Sequence, residues 1–191
     1  MPTPAYDQAL FPVTFVAGPV GAWQIESVTA VVGSPLTAAD RLSVHPEHLA
    51  PGVEGALWQL RGTASHARYV EQAEQQVLTG RSPALGRAED LCAALIPIRK
   101  SSAWWALAQD ARRAIFEGQS RHIADSLPYL PRIARRLYHS RDLGEPFDFL
   151  TWFEFAPEHT PAFDELVAML RSRPEWHYVE REVDIRLRRR G

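Results

Sequence analysis

Apolar and polar positions alternate along residues 21–32 (GAWQIESVTAVV), and β-branched side chains fill much of the run, which predicts a half-buried strand. Residues 1–11 are proline-rich and irregular. Residues 34–43 (SPLTAADRLS) read as a short helix, and HPEHLAPGVEG after them as a loop. ALWQLRGTASHARYV opens as a strand near Ala56, and EQAEQQVLTG, ending at Gly80, reads as a helix or an irregular arm. RSPALGR is a loop.

The second half carries stronger periodicity. Residues 91–100 (LCAALIPIRK) form a continuous apolar run, a strand. Ser101 or Ser102 can cap the helical stretch AWWALAQDARRAIFEGQSRHIADSL, which divides in two with Asp110 capping the second piece. PRIARRLYHSR is a strand, DLGEP a turn and FDFLTWFEF a strand, so the pair makes a hairpin. APEHTPAFDELVAMLRS is a helix with Thr160 as its cap and Pro161 in its first turn. EWHYVEREVDIRL closes the chain as a strand. The order β-α-β-β-α-β is that of the ferredoxin-like unit, an α+β arrangement with helices on one face of an antiparallel sheet. FDFLTWFEF is apolar on both sides, with Phe147, Phe149, Phe153 and Phe155 on one and Leu150 and Trp152 on the other, so the sheet's second face is covered too. The first half reads as a shortened version of the same unit. We therefore expect two units, residues 1–90 and 91–191, whose sheets close on each other.

Two residues break this pattern. If residues 132–139 are a strand, Arg135 shares a face with Ile133 and Leu137. A buried, unpaired guanidinium costs several kcal/mol, roughly. Arg135 therefore needs one of the chain's 23 carboxylates, a water-filled cavity or an anionic ligand. His122 lies late in the long helix on a face with Ile115, Gly118, Gln119 and Ser126. It reads either as a surface or core histidine or as a lone axial ligand of haem iron, which needs one protein nitrogen. His139 reads as structural or surface.

Composition narrows the choices. The chain has 191 residues, 46% hydrophobic and 23% charged, the range of ordinary globular domains. A net charge of −2 provides no basic field for nucleic acid, and RLRRRG at the end reads as a solvated tail. Cys92 is the only cysteine, so an intrachain disulfide and CxxC metal chemistry are both excluded, and no HExxH occurs. The N-terminus lacks the basic n-region and apolar core of a secretory signal, and no stretch is apolar enough to span a bilayer. A cytoplasmic protein is expected. Six tryptophans suit a large aromatic core or a flat aromatic ligand.

AALIPIRKSSAWW, SRHIADSLPYLPRIARRLYHSRDLGEPFDFLTWFEFAPEH and EWHYVEREVDIRL together resemble the chlorite dismutase family of haem b proteins, within the dimeric α/β-barrel superfamily. The resemblance runs from about Leu57 onward and is nearest to the short-subunit lineage, whose members are homodimers. It implies one haem b per subunit, His122 as the proximal iron ligand, and Glu175 and Lys100 behind it. It implies Arg135 as the distal, catalytic arginine, with Leu137, Thr151 and Phe153 as the distal wall. It places Tyr69, Ile96, Pro97, Ile98, Arg99 and Trp104 around the haem. Ser82 stands where short-subunit relatives often carry glutamine. The implied reaction takes chlorite to chloride and dioxygen, with chlorite and other small anions as partners and neither nucleic acid nor membrane. The alternatives are a haem-handling protein and a coproheme decarboxylase, and the latter typically lacks the distal arginine.

Overall fold

A computed structural model describes residues 12–46, 54–64 and 83–189, with the backbone alone at His122 and Ile123. Tyr69, Ser82 and the arm at 71–80 lie outside the described residues. Among the described residues there are eight strands: β1 (Pro12–Gly18), β2 (Trp23–Val32), β3 (Arg41–Pro46), β4 (Trp58–Ala64), β5 (Cys92–Lys100), β6 (Ile133–His139), β7 (Phe149–Phe155) and β8 (Val179–Arg188). They join edge to edge into one closed barrel in the order β1-β3-β2-β8-β5-β7-β6-β4, with every ladder antiparallel. Closure leaves no open edge.

Between β5 and β6 run α1 (Ser102–Ala106), α2 (Gln109–Arg113), a π-helical segment (Ala114–Gln119) and α3 (His122–Ser126). Between β7 and β8 runs α4 (Thr160–Arg171). The second half is thus β-α-β-β-α-β, with spatial order β8-β5-β7-β6. The first half has spatial order β4-β1-β3-β2, the same permutation. Among the described residues no helix is long and apolar enough to cross a membrane.

Strand alternation divides the core in two. Phe15, Ala17, Trp23, Leu42, Leu60, Leu95, Tyr138, Leu150, Trp152, Val183 and Ile185 fill the barrel interior, with contributions from all eight strands. Ala94, Ile96, Phe153 and Phe155 point outward instead and pack with Phe163, Leu166, Val167 and Leu170 of α4. Ion pairs reinforce that helix: Arg171 reaches Glu182 at 2.7 Å and Asp184 at 2.9 Å.

Several expectations are corrected. Residues 34–43 form no helix: 34–39 are irregular, and from Arg41 onward the chain is held extended by its ladder to Val13–Gly18 of β1, where tertiary pairing outweighs local propensity. The strand β1 itself carries no alternation strong enough to separate it from the irregular start. Phe147 does not share a face with Phe149; it precedes the strand and is buried in the barrel interior. Thr160 is the first residue of α4 rather than its cap, and its hydroxyl donates back to the Pro157 carbonyl at 2.8 Å. Asp110 sits inside the first turn of α2 and accepts from the Ala111 N–H. Residues 175–178 belong to a 3₁₀ turn (Pro174–Tyr178), so the last strand starts at Val179. The basic C-terminal run is engaged: Arg188 pairs with Glu26 at 2.7 Å, and Arg189 donates to the Arg87 carbonyl at 2.7 Å.

Candidate functional site

Register places the outward side chains of β5, β7 and β6 in three rows. They are Ala94–Phe153–Arg135, Ile96–Thr151–Leu137 and Ile98–Phe149–His139. The α4 helix covers the first end of this face. At the other end the ring of Trp105 from α1 stacks on Phe149, with centroids 6.0 Å apart. Between these supports Leu137 stays 42% exposed, beside a guanidinium and within an otherwise apolar surface.

Arg135 is half-buried in this face. Among the described residues it has no hydrogen bond, ion pair or ring contact. Desolvation alone holds its guanidinium below the usual arginine range, and no carboxylate opposes that shift. Arg171 and Arg186 behave oppositely: they are desolvated too, yet Glu182, Asp184 and Asp164 raise them above the usual range. A structural ion pair for Arg135 is therefore not what the described residues provide. An uncompensated cation beside open apolar surface is what an anion-binding position requires.

The second group of residues gathers behind the helices. Lys100 ends β5 and is buried; its Nζ donates to the Glu175 carbonyl at 2.8 Å and lies 4.8 Å from the Trp104 ring and 5.3 Å from that of Trp176. Burial lowers its pKa to about 8, with Glu175, Glu182 and Asp148 pulling the other way. Glu175 is 1% exposed and its N–H donates to the Ser120 hydroxyl at 3.4 Å. Ser120 is two residues before His122, which opens α3. A 2.6 Å pair between Arg173 and Asp125 ties the same helix to the same turn. Trp104 is buried with its indole N–H lacking an acceptor among the described residues, and its ring meets that of Tyr178 at 5.4 Å.

The helix around His122 is not the regular helix that spacing predicts. Ser120 N–H bonds to the Ile115 carbonyl, five residues back, and Arg121 adopts a φ of 49°. A π-helical turn and a left-handed non-glycine residue are the kind of local strain that collects at functional positions. The single face expected for Ile115, Gly118, Gln119 and Ser126 is broken between Gln119 and His122 as a result. A Cβ built on Gly118 would meet nothing within 4 Å.

Of the run from Ile96 to Arg99, Ile96 and Ile98 share the face of Arg135. Pro97 and Arg99 lie on the other side of the strand, and Arg99 pairs with Glu180 at 3.5 Å. Asp148 is a site residue that sequence reasoning misses. Its buried carboxylate accepts from the Lys100 N–H at 2.7 Å and the Trp105 indole at 3.2 Å, and Arg141 is 3.4 Å away. Its signal in the sequence is an acid set between two phenylalanines in FDFL. Among the described residues, no three His, Cys, Asp or Glu side chains converge to hold a bare metal ion.

These features fit a flat apolar cofactor with acidic substituents. Ile96, Ile98, Thr151 and Leu137 offer a largely apolar wall, Trp104 a buried donor without an acceptor among the described residues, and Arg135 a cation for an anion bound against the group.

A family model described as chlorite dismutase matches residues 50–190. A chlorite dismutase from Ideonella dechloratans is 36% identical over 84 residues, which is 44% of this chain and 27% of that protein, so the matched stretch is about a quarter of the relative's length. The crystal structure of a dimeric chlorite dismutase from Nitrobacter winogradskyi is 60% identical, with a TM-score of 0.86, and covers 93% of this chain and 99% of that one. A mutant chlorite dismutase from Candidatus Nitrospira defluvii shares the fold at 22% identity, with a TM-score of 0.69, covering 98% of this chain and 93% of that one.

Proposed function

This chain belongs to the chlorite dismutase family, and from that premise we propose that it converts chlorite to chloride and dioxygen on haem b, one group per subunit of a homodimer. The observation that carries this reading is Arg135, a desolvated cation without a counter-charge among the described residues. The 60% identity to a dimeric relative supports the homodimer. The repeated strand permutation supports a chain of two ferredoxin-like halves, 1–90 and 91–191, the first without helices among its described residues.

In this reading His122 is the proximal ligand of the iron. Glu175 and Lys100 stand behind it, and the bond from Glu175 to Ser120 sets the turn against the start of α3. A carboxylate in that position fixes a ligand imidazole's tautomer and strengthens it as a donor. Ile96, Pro97, Ile98 and Arg99 belong to the β5 strand along the haem edge, Tyr69 is assigned near the acidic substituents by the family resemblance alone, and Trp104 packs beside the haem on the proximal side. Haem supplies the oxygen-atom transfer from chlorite and the O–O bond formation that follows.

Arg135 does the chain's own share of the work. It draws the chlorite anion in, orients it and retains the chlorine-bearing fragment until the second oxygen is joined. It is a fixed charge and not a proton carrier, because a guanidinium does not release its proton. Leu137, Thr151 and Phe153 exclude water, which strengthens the hold of that charge on the anion.

An oxygen electrode tests the reading. Haem-loaded protein given chlorite should release oxygen in near-equal proportion to the chlorite added. Haem bleaching without oxygen would move the haem-handling and coproheme decarboxylase readings ahead. His122→Ala should abolish stable haem binding in a spectrophotometric titration, and wild-type retention would remove His122 from its role.

A further inference from the structure

Arg135 has a long side chain that nothing among the described residues holds at its tip. Its aim is therefore set by the backbone on which it is mounted. That backbone is the β6–β7 ladder, where Arg135 pairs with Phe153 and Ala134 with Glu154.

Both strands are fastened beside this pair by one short segment, residues 86–90. On β7, Glu154 is 2% exposed and sits on the barrel side of the sheet, opposite the face of Arg135. Its Oε1 accepts from the Trp152 indole at 2.8 Å and its Oε2 from the Gly86 N–H at 2.5 Å. Gly86 has a φ of 82°, a conformation that glycine takes without steric cost. Next to it, Arg87 Nη2 donates to the carbonyl of Arg132 at 3.3 Å, just ahead of β6. Arg87 is itself held in a two-bond fork by the fully buried Asp90, at 2.8 and 3.0 Å. Arg189 adds a third tie, to the Arg87 carbonyl.

We propose that Glu154 and Arg87 are positioning residues for Arg135: the Gly86–Arg87–Asp90 segment is a buckle that joins the two strands at the pair carrying the distal guanidinium. The proposal rests on the reading above for what Arg135 binds. The two bonds run to β7 one residue past Phe153 and to the chain three residues before Arg135, which in this antiparallel ladder is the same end of the pair, so both strands are anchored at that one end of the mount. Glu154 faces away from the anion and acts only through the ladder.

The test is a double-mutant cycle on the haem-loaded full chain, with fluoride as the probe. Fluoride binding to the ferric protein is followed by absorbance, and chlorite KM and kcat are measured in parallel. Glu154→Gln puts an amide N–H₂ against one of two donors and loses one bond. It should raise the fluoride dissociation constant and the chlorite KM by about three- to tenfold, the span of one net hydrogen bond, with a smaller effect on kcat. Arg135→Gln should weaken fluoride binding further, and adding Glu154→Gln to it should change nothing more. If Glu154→Gln fails to fold, Arg87→Lys, which keeps the charge and loses the fork, takes its place in the same cycle. Arg171→Gln is the control, since it loosens α4 from β8 and should lower the melting temperature without moving the fluoride constant. The proposal is overturned if the buckle variants lower only the melting temperature, or if their effect adds in full to that of Arg135→Gln. Absence of oxygen release by the wild type would overturn the reaction assigned above and leave the fluoride cycle to decide the positioning claim.

Discussion

At the scale of single residues, the site is recognisable by what it costs. Arg135 is desolvated with no carboxylate beside it among the described residues, so it destabilises the fold that carries it. Replacing it with methionine, similar in length and uncharged, should stabilise the haem-free protein by on the order of 1–3 kcal/mol. In a thermal melt that is a rise of about 2–4 °C per kcal/mol, and a fall would show that Arg135 has a stabilising partner after all. Lys100 carries a second penalty with a pH signature. Its folded pKa of about 8 lies below its ordinary value of 10.5, so the unfolded chain binds more protons between those two values. Its penalty is complete below pH 8 and disappears as pH rises toward 10.5. Denaturant unfolding of the wild type and Lys100→Met across this range should show the wild type gaining on the variant, by on the order of 3 kcal/mol in total. A pH-independent difference would mean that Lys100 is solvated. Arg135 was legible in the sequence because alternation alone puts a permanent charge between Ile133 and Leu137. Asp148 and Glu154 were not, because an acid within an apolar strand looks like a solvent-facing position until its donors are known. Those donors include residues 43 and 48 positions away for Asp148, and 68 and 2 positions away for Glu154.

At the scale of elements, the strands of the second half and α4 follow directly from period and turn chemistry, while the helix around His122 does not. Helical spacing from 103 to 127 assumes one repeat of 3.6 residues. The division near Asp110 is present between α1 and α2, but beyond it the chain widens into a π turn and passes through a left-handed Arg121. These departures satisfy tertiary demands, such as the Ser120–Glu175 and Asp125–Arg173 ties, which no local pattern encodes. Arg121 bears the local cost. A left-handed non-glycine residue costs about 1–2 kcal/mol, and its ion pair with Asp125 is at the surface and worth little. Arg121→Gly should therefore raise the melting temperature slightly, by about 0.5–1 kcal/mol of stability after the entropy of glycine is counted. Arg121→Val should lower it. The reverse order in a melt would show that the turn is not strained.

At the scale of the whole molecule, the barrel is closed by seams of unequal strength. The β6–β7 ladder pairs seven residues, whereas among the described residues β4–β6 pairs two, Thr63 with His139 and Ala64 with Tyr138. Gly62 makes that short seam possible. A Cβ there would lie 2.6 Å from the Tyr138 Cβ and 3.1 Å from the Ser140 hydroxyl, so the strands could not approach. Gly62→Ala should destabilise the protein by about 1–3 kcal/mol. Hydrogen exchange should show the added protection loss first at β4 and the end of β6, and uniform loss would argue against a local seam. The ferredoxin-like order of the second half was legible because its six elements have clear boundaries. Closure of the first half was not, since it depends on β1 and on a strand at Arg41–Pro46 that straddles the end of the expected 34–43 helix and the start of the expected loop.

The repeated strand permutation has a consequence for how this protein can change. In β1–β4 the counterpart of β6 is β2, whose side chains from Gln24 to Val31 are mostly exposed and polar or small. In the function proposed above, the second half carries the chemistry and the first serves as its back wall. Substitutions should be tolerated very unevenly between the two. A library drawn over the outward positions of β2 would leave most members active, while the same diversity at the outward positions of β6 would leave few. The spare half is where this architecture has room to acquire something new without endangering what it already does.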